Sequence, residues 1–266
     1  MYPILFRFGS HIVIYSYTVA LVLGMIAGVW MAWRGARSRF PDPGIVVDAG
    51  FWGLLGGLFG GRAGYVIANW AYFVEYPAKA FALWQGGLSW HGALWGGCVA
   101  VIVWVAVRHR HGSKGPGWRE TLDALAPGLA LGGAFGWLGN LLTGSAYGAE
   151  ASGCVPPASW FAADLPDIFG VRAERFLTQP LMIIWCLLLW GVLWALRGRL
   201  RPGILFSLYL LSYALADFGI AFVRGDGTWK LGLWLSQWVA LGEMCVAIGL
   251  TIYLARSEWN TQYMVP

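Results

Sequence analysis

The chain has 266 residues, of which 58% are hydrophobic and only 12% charged, and its mean hydropathy is +0.60. A water-soluble domain carries about a quarter charged residues, so this composition cannot cover a globule in water and makes lipid the solvent for most of the chain. The formal charge of +5 is scattered in short clusters between apolar runs, with no basic helix face interleaved with stacking aromatics, which argues against nucleic-acid binding.

The opening MYPILFRFGSHIVIY lacks a charged start followed by a cleavage site, so the first span is expected to insert and remain. A helix needs about 20 mostly apolar residues to cross the hydrocarbon core. Runs of that kind fall near 15–33, 46–69, 91–107, 121–142, 180–196, 203–223 and 233–255, predicting seven spans. In the second, Gly53, Gly57 and Gly61 recur every four residues, and in the fourth Gly132 and Gly136 do the same. Such faces let helix backbones approach where lipid supplies no hydrophobic drive to association.

Two connections, about 71–90 and 143–179, are long and rich in Trp, Tyr, Phe and Pro in a pattern too broken to span. Aromatic segments of this kind suit the membrane interface, so short interfacial helices are expected there. With the N-terminus outside, the inner segments hold eleven Lys and Arg and the outer ones six, Arg62 lying within a span. The positive-inside tendency therefore predicts an outer N-terminus and a cytoplasmic C-terminus. Cys98, Cys186 and Cys245 lie in apolar runs, which argues against a disulfide framework. With no internal repeat and no low-complexity tail, residues 1–266 read as one polytopic, all-α integral membrane domain.

Placing a charge at the bilayer centre costs at least ~2.5 kcal/mol even on the lenient insertion scale. Arg62, His91, Asp123, Asn140, Asp217, Arg224 and Glu243 therefore describe a polar interior. Arg62 has two readings: an ion pair with Asp217 or Glu243, or a fixed cation for a lipid phosphate. His91, at the outer start of the third span, is by spacing alone a hydrogen-bonded interface histidine. A neutral imidazole there, titrating near ~6.5 when unperturbed, is also able to accept a proton from a thiol. Asp123 and Glu243 read as structural. No His, Cys or carboxylate cluster has metal-ligand spacing and no nucleotide-binding glycine pattern stands out, so no cofactor is expected.

The fourth span and its exit read GWLGNLLTGSAYG, from Gly136 to Gly148. This resembles the signature of the bacterial prolipoprotein diacylglyceryl transferases. Other pieces stand in that family's order: IYSYTVALVLG around Tyr17, GGRAGY around Arg62, GGLSWHG around His91, FLTQPLM around Gln179, and RPGILFSLYLLSYALADFGIAFVR through Arg224. The likeness covers nearly the whole chain. It departs where the family carries Arg, Asn and Glu and this chain has Trp137, Thr143 and Ser145, and where the family's Arg and Glu of the sixth span are Asp217 and Ala221.

The resemblance implies transfer of a diacylglyceryl group from phosphatidylglycerol to the lipobox cysteine of a prolipoprotein, in the bacterial plasma membrane. It implies His91 as the catalytic base or proton relay and Arg62 and Arg224 as the grip on the phosphate. Asn140 and Tyr17 would orient the headgroup, and Gly139 would allow close approach. The partners implied are phosphatidylglycerol, a prolipoprotein signal peptide and membrane lipids. The polar residues lost, together with 18 tryptophans, also admit a second reading: a non-catalytic lipid-binding or structural subunit of a larger membrane assembly.

Overall fold

The computed structural model describes residues 4–8, 12–156 and 158–262. Among these, seven helices are long and apolar enough to cross a membrane: Ser16–Ala36 (α1), Gly44–Ala68 (α2), Trp90–Arg110 (α4, after the short α3 of Trp70–Glu75), Trp118–Thr143 (α5), Thr178–Leu196 (α6), Ile204–Ala221 (α7) and the span Leu235–Arg256 of α8, Leu235–Gln262. Each coincides with one of the expected runs, and the chain is an all-α, multi-pass membrane protein. Helices satisfy their own backbone groups, which is what lets a chain this apolar cross lipid.

The chain divides into two compact units, one of Ala32–Leu125 and one of Met1–Met31 with Ala126–Pro266. In the first, α2 and α4 pack backbone to backbone. A Cβ built on Gly56 would lie 2.6 Å from the Gly96 carbonyl oxygen, one on Gly60 2.6 Å from the Gly96 Cα, and one on Gly64 3.0 Å from the Gly92 Cα. The expected row of Gly53, Gly57 and Gly61 borders this contact, but the closest approach belongs to the adjacent row. On the expected row a Cβ on Gly57 or Gly61 would meet its nearest neighbour at 3.2 or 3.3 Å, tight but not a collision. Ala32, Ala36, Val46 and Ala124 form a small buried core in the same unit, covered by Phe40 and Leu125.

In the larger unit α1 meets α5 in the same manner. A Cβ on Gly28 would lie 2.8 Å from the Gly128 carbonyl oxygen, and one on Gly24 2.7 Å from the Phe135 Cβ. Gly132 joins this contact, whereas a Cβ on Gly136 would meet nothing within 4 Å. The two glycines of the predicted pair thus do different things. Asp217 and Glu243 are buried in α7 and α8 of this unit, and Gln237 ties the two helices by donating to the Phe218 carbonyl at 3.2 Å.

The first long connection is helical as expected, with α3 followed by 3-10 turns at Pro77–Phe81 and Leu83–Gln85. The second is not. Apart from a 3-10 turn at Ala158–Phe161, it folds as an antiparallel hairpin of Ala162–Pro166 (β3) with Arg172–Phe176 (β4). Two shorter hairpins flank the spans, Ile4–Phe8 (β1) with Ile12–Tyr15 (β2) and Trp229–Lys230 (β5) with Leu233–Trp234 (β6). The long hairpin closes because the Asp167 carboxylate accepts from the amides of Phe169 and Val171, at 2.9 and 3.0 Å, while Gly170 takes φ 82. An aspartate turn followed by a left-handed glycine reverses the chain where a helix would have to continue. Arg172 then pairs with Asp164 across the strands at 2.8 Å.

If the α2–α4 contact sets the stability of its unit, Gly60→Ala should be costly, because the obstructing atoms are backbone. Overpacking of this kind costs about 1–3 kcal/mol, and a thermal midpoint in detergent should fall by several degrees. Gly136→Ala, whose added methyl enters open space, should not lower the midpoint and should raise it by up to about a few degrees, because alanine is the better helix former.

Candidate functional site

In the unit of residues 32–125, His91 is the second residue of α4 and half-buried. Ser89 caps that helix: its hydroxyl accepts from the Gly92 amide at 3.3 Å, and its own amide donates to the Gly61 carbonyl at 2.9 Å. The cap fixes where the helix begins, and the positive end of the helix dipole makes the first turn favourable to negative charge. Arg62, only 7% exposed, lies on α2 beside Gly61. Its Nε donates to the Ala80 carbonyl at 2.8 Å, one terminal nitrogen to the carbonyls of Gly86 and Gly87, and the other to that of Lys79. A guanidinium has five N–H donors, so this set leaves one. The Tyr65 and Phe73 rings stand 5.6 and 5.5 Å from its central carbon.

In the larger unit the remaining predicted residues gather around the end of α5. A Cβ on Gly139 would fall 2.8 Å from Cδ2 of Tyr17 and 3.4 Å from the Ala20 Cβ. The close approach that Gly139 permits is therefore that of the Tyr17 ring on α1. Asn140 follows Gly136 by one helical turn, and its amide makes no hydrogen bond among the described residues. α5 ends at Gly144, φ 75, where the Ser145 amide returns to the Asn140 carbonyl at 3.0 Å, the six-residue closure typical of a glycine-terminated helix.

The loop that follows is held from α6. Thr178 donates its hydroxyl proton to the Ala146 carbonyl at 2.8 Å and Gln179 its amide to the Ser145 carbonyl at 3.0 Å. Ala146 itself has φ 53, uncommon for a residue with a Cβ, and the Thr178 bond falls on that residue. Gly148 backs onto Phe176, where any Cβ would collide with the strand, and forms an isolated bridge with Arg224.

Arg224 follows α7. Its Nε and one terminal nitrogen donate to the two oxygens of Asp226, at 2.9 and 3.1 Å, a forked pairing. The other terminal nitrogen, with two N–H donors, has no hydrogen-bond partner among the described residues. Burial works against the charge of this guanidinium, but the hydrogen bond and charge of Asp226 outweigh it and push its pKa up. Arg224 is a permanent cation.

Two residues that sequence reading passed over belong to the same neighbourhood. Arg175, 5% exposed, reaches Asp167 at 3.3 Å and Glu150 at 3.4 Å and lies 5.0 Å from the Tyr147 ring. Nothing in the pattern of the outer connection marks it, since its carboxylate partners are 8 and 25 residues away. Tyr213 is the other. Trp137, 6% exposed, donates its indole N–H to the Tyr213 hydroxyl at 3.2 Å. Trp137 and Tyr213 are separated by 76 residues, so only the fold pairs them.

A family model described as prolipoprotein diacylglyceryl transferase matches residues 3–253. Similar proteins named phosphatidylglycerol–prolipoprotein diacylglyceryl transferase occur in several bacteria. The one from Dehalococcoides mccartyi strain CBDB1 is 32% identical over 97% of this chain and 96% of its own length. One from Streptomyces coelicolor is 33% identical over 94% of this chain and 72% of its own length. That from Synechococcus elongatus is 29% identical over 88% and 80%.

The Tyr17–Gly139 contact can be tested by a double-mutant cycle. Gly139→Ala alone should cost about 1–3 kcal/mol of stability, as overpacking does, and most of that penalty should vanish when Tyr17→Ala removes the opposing ring. Strictly additive penalties in thermal unfolding would mean that the two do not press on one another.

Proposed function

The chain belongs to the prolipoprotein diacylglyceryl transferase family, and on that premise we propose that it moves the diacylglyceryl group of phosphatidylglycerol onto the lipobox cysteine of a prolipoprotein. The nucleophile comes with the substrate. A thiol with an unperturbed pKa near ~8.5 must lose its proton, and the enzyme supplies the acceptor and a setting that favours thiolate. His91 takes that proton, and the capped N-terminus of α4 beside it stabilises the developing anion. The sulfur then forms a bond to the terminal glyceryl carbon as the bond from that carbon to the phosphate oxygen breaks. The electron pair leaves with glycerol phosphate.

The observation that carries this reading is the state of Arg224. Asp226 holds it on one edge, and its opposite terminal nitrogen keeps two donors without a partner among the described residues. A fixed, permanently charged fork of this kind suits a leaving group whose negative charge grows in the transition state. The Asn140 amide, with no partner of its own among the described residues, and the Tyr17 hydroxyl orient the headgroup. Gly139 sets the position of the Tyr17 ring. The same reading puts the chain in the bacterial plasma membrane with its N-terminus outside, where a secreted prolipoprotein presents its cysteine.

Purified protein in vesicles containing phosphatidylglycerol should add one diacylglyceryl mass to a lipobox peptide, read by mass spectrometry. His91→Gln should lower kcat by about 10²–10⁴, the range expected for a general base. An unchanged rate would remove His91 from the mechanism without removing the reaction. No transfer by the unmodified chain, with co-purification at fixed stoichiometry with other membrane proteins, would replace the transferase with a lipid-binding subunit.

A further inference from the structure

We infer that Arg62 is the positioning residue for His91, a clamp on the polypeptide that leads into α4, and that it does not ligate the phosphate; this rests on the role of His91 proposed above. Every observation behind it lies within the unit of residues 32–125. The four carbonyls that Arg62 binds come from both ends of one segment, Lys79 and Ala80 at its start and Gly86 and Gly87 at its exit. One planar guanidinium therefore closes a loop that has little regular structure of its own beyond short 3-10 turns. Gly86 and Gly87 both take φ 78, a left-handed conformation that turns their carbonyls away from the ordinary extended course.

The clamp is two residues from the catalytic helix. Immediately after Gly87 and Leu88, the Ser89 amide donates to the carbonyl of Gly61, the residue that precedes Arg62. Ser89 then caps α4, and His91 follows in its first turn. Arg62 and Gly61 thus fix one stretch of chain, 79–89, onto α2 at both of its ends, and the azimuth and height of His91 are set by where that stretch stops. The glycine contact between α2 and α4 continues from this point, with Gly64 against Gly92 and Ser89.

The same geometry leaves Arg62 poorly suited to an anion. Four carbonyl dipoles point their negative ends at it, and the Tyr65 and Phe73 rings stand within 6 Å of its carbon. A buried cation satisfied in this way has one N–H left, and a phosphate would compete with acceptors already in place. Lysine keeps the charge but presents three donors from a single tetrahedral nitrogen, so it cannot reach carbonyls spread along the edge of a planar fork. Charge and clamp are therefore separable by one substitution.

Hydrogen exchange on unliganded protein in phosphatidylcholine nanodiscs tests the clamp without any reaction. Arg62→Lys should speed exchange of the amides in 79–91 by about tenfold or more, while α6 and α7 stay as protected as before. In the transfer assay the same variant should lose at least about tenfold in kcat with KM for phosphatidylglycerol within about twofold, as expected when a group is misplaced but ground-state binding is not lost. Gly87→Ala leaves Arg62 intact and brings a methyl to 2.5 Å from the Tyr65 ring, so it should reproduce both effects and decides the matter if the lysine variant does not fold. Full activity in Arg62→Lys, a raised KM with kcat retained, or unaltered exchange and kcat in Gly87→Ala would each overturn the clamp. Failure of the unmodified chain to transfer would sink the transferase reading alone, since the exchange result stands without it.

Discussion

Backbone that leaves the helical path at the edge of a membrane must find its hydrogen bonds from whatever polar groups the chain can bring to it. That constraint organises both units. In one, the irregular segment between α3 and α4 gives four of its carbonyls to a single arginine side chain. In the other, the loop leaving α5 gives the Ser145 and Ala146 carbonyls to Gln179 and Thr178. Helix ends and loops here are shaped by long-range side-chain donors, and the residues proposed for chemistry, His91 and Asn140, sit at those shaped ends.

Close glycine packing serves the same end by a different route. Where α2 and α4 touch through Gly60, Gly92 and Gly96, no side chain intervenes and the backbones themselves set the spacing. In a medium as apolar as leucine, association rests on such contact area and on hydrogen bonds, with little help from a hydrophobic effect. His91, mounted on the first turn of α4, inherits that precision. A contact between flexible side chains would let the helix slide by a fraction of an ångström without penalty; backbone against backbone does not.

Composition and run length made the seven spans legible, because the requirement they meet is a length of apolar helix and nothing subtler. The short helical turns of residues 77–85 were expected on different grounds, the aromatic and broken pattern of their connection. The hairpin Ala162–Pro166 with Arg172–Phe176 was not. Its aromatic, broken pattern suits an interface in either conformation, and the decision is made by Asp167 bonding two amides around a left-handed Gly170. At the site, the glycine and asparagine at 139 and 140, and the arginines at 62 and 224, were visible as polar or small residues in apolar surroundings. What each arginine does was not visible. A sequence can mark a charge that needs a partner, but whether that partner is four carbonyls, as for Arg62, or one carboxylate, as for Arg224, depends on chain placed by the fold.

The exchange of charged for neutral residues in the larger unit follows from the same accounting of buried polar groups. Trp137 stands where the resembled signature has arginine, and Ala221 where it has glutamate, and both are buried. A buried charge is tolerable only with a well-formed partner, and removing one member of a pair leaves the other stranded. At these two positions a cation and an acid are both gone, and the indole N–H at 137 bonds the Tyr213 hydroxyl, so that position is satisfied without charge. Such neutral replacements often leave a fold no less stable. Under the proposed transfer their consequence is chemical: fewer fixed cations in this unit would meet a phosphate, and the demand would fall on Arg224, whose forked bond to Asp226 keeps it charged and leaves one terminal nitrogen without a hydrogen-bond partner among the described residues.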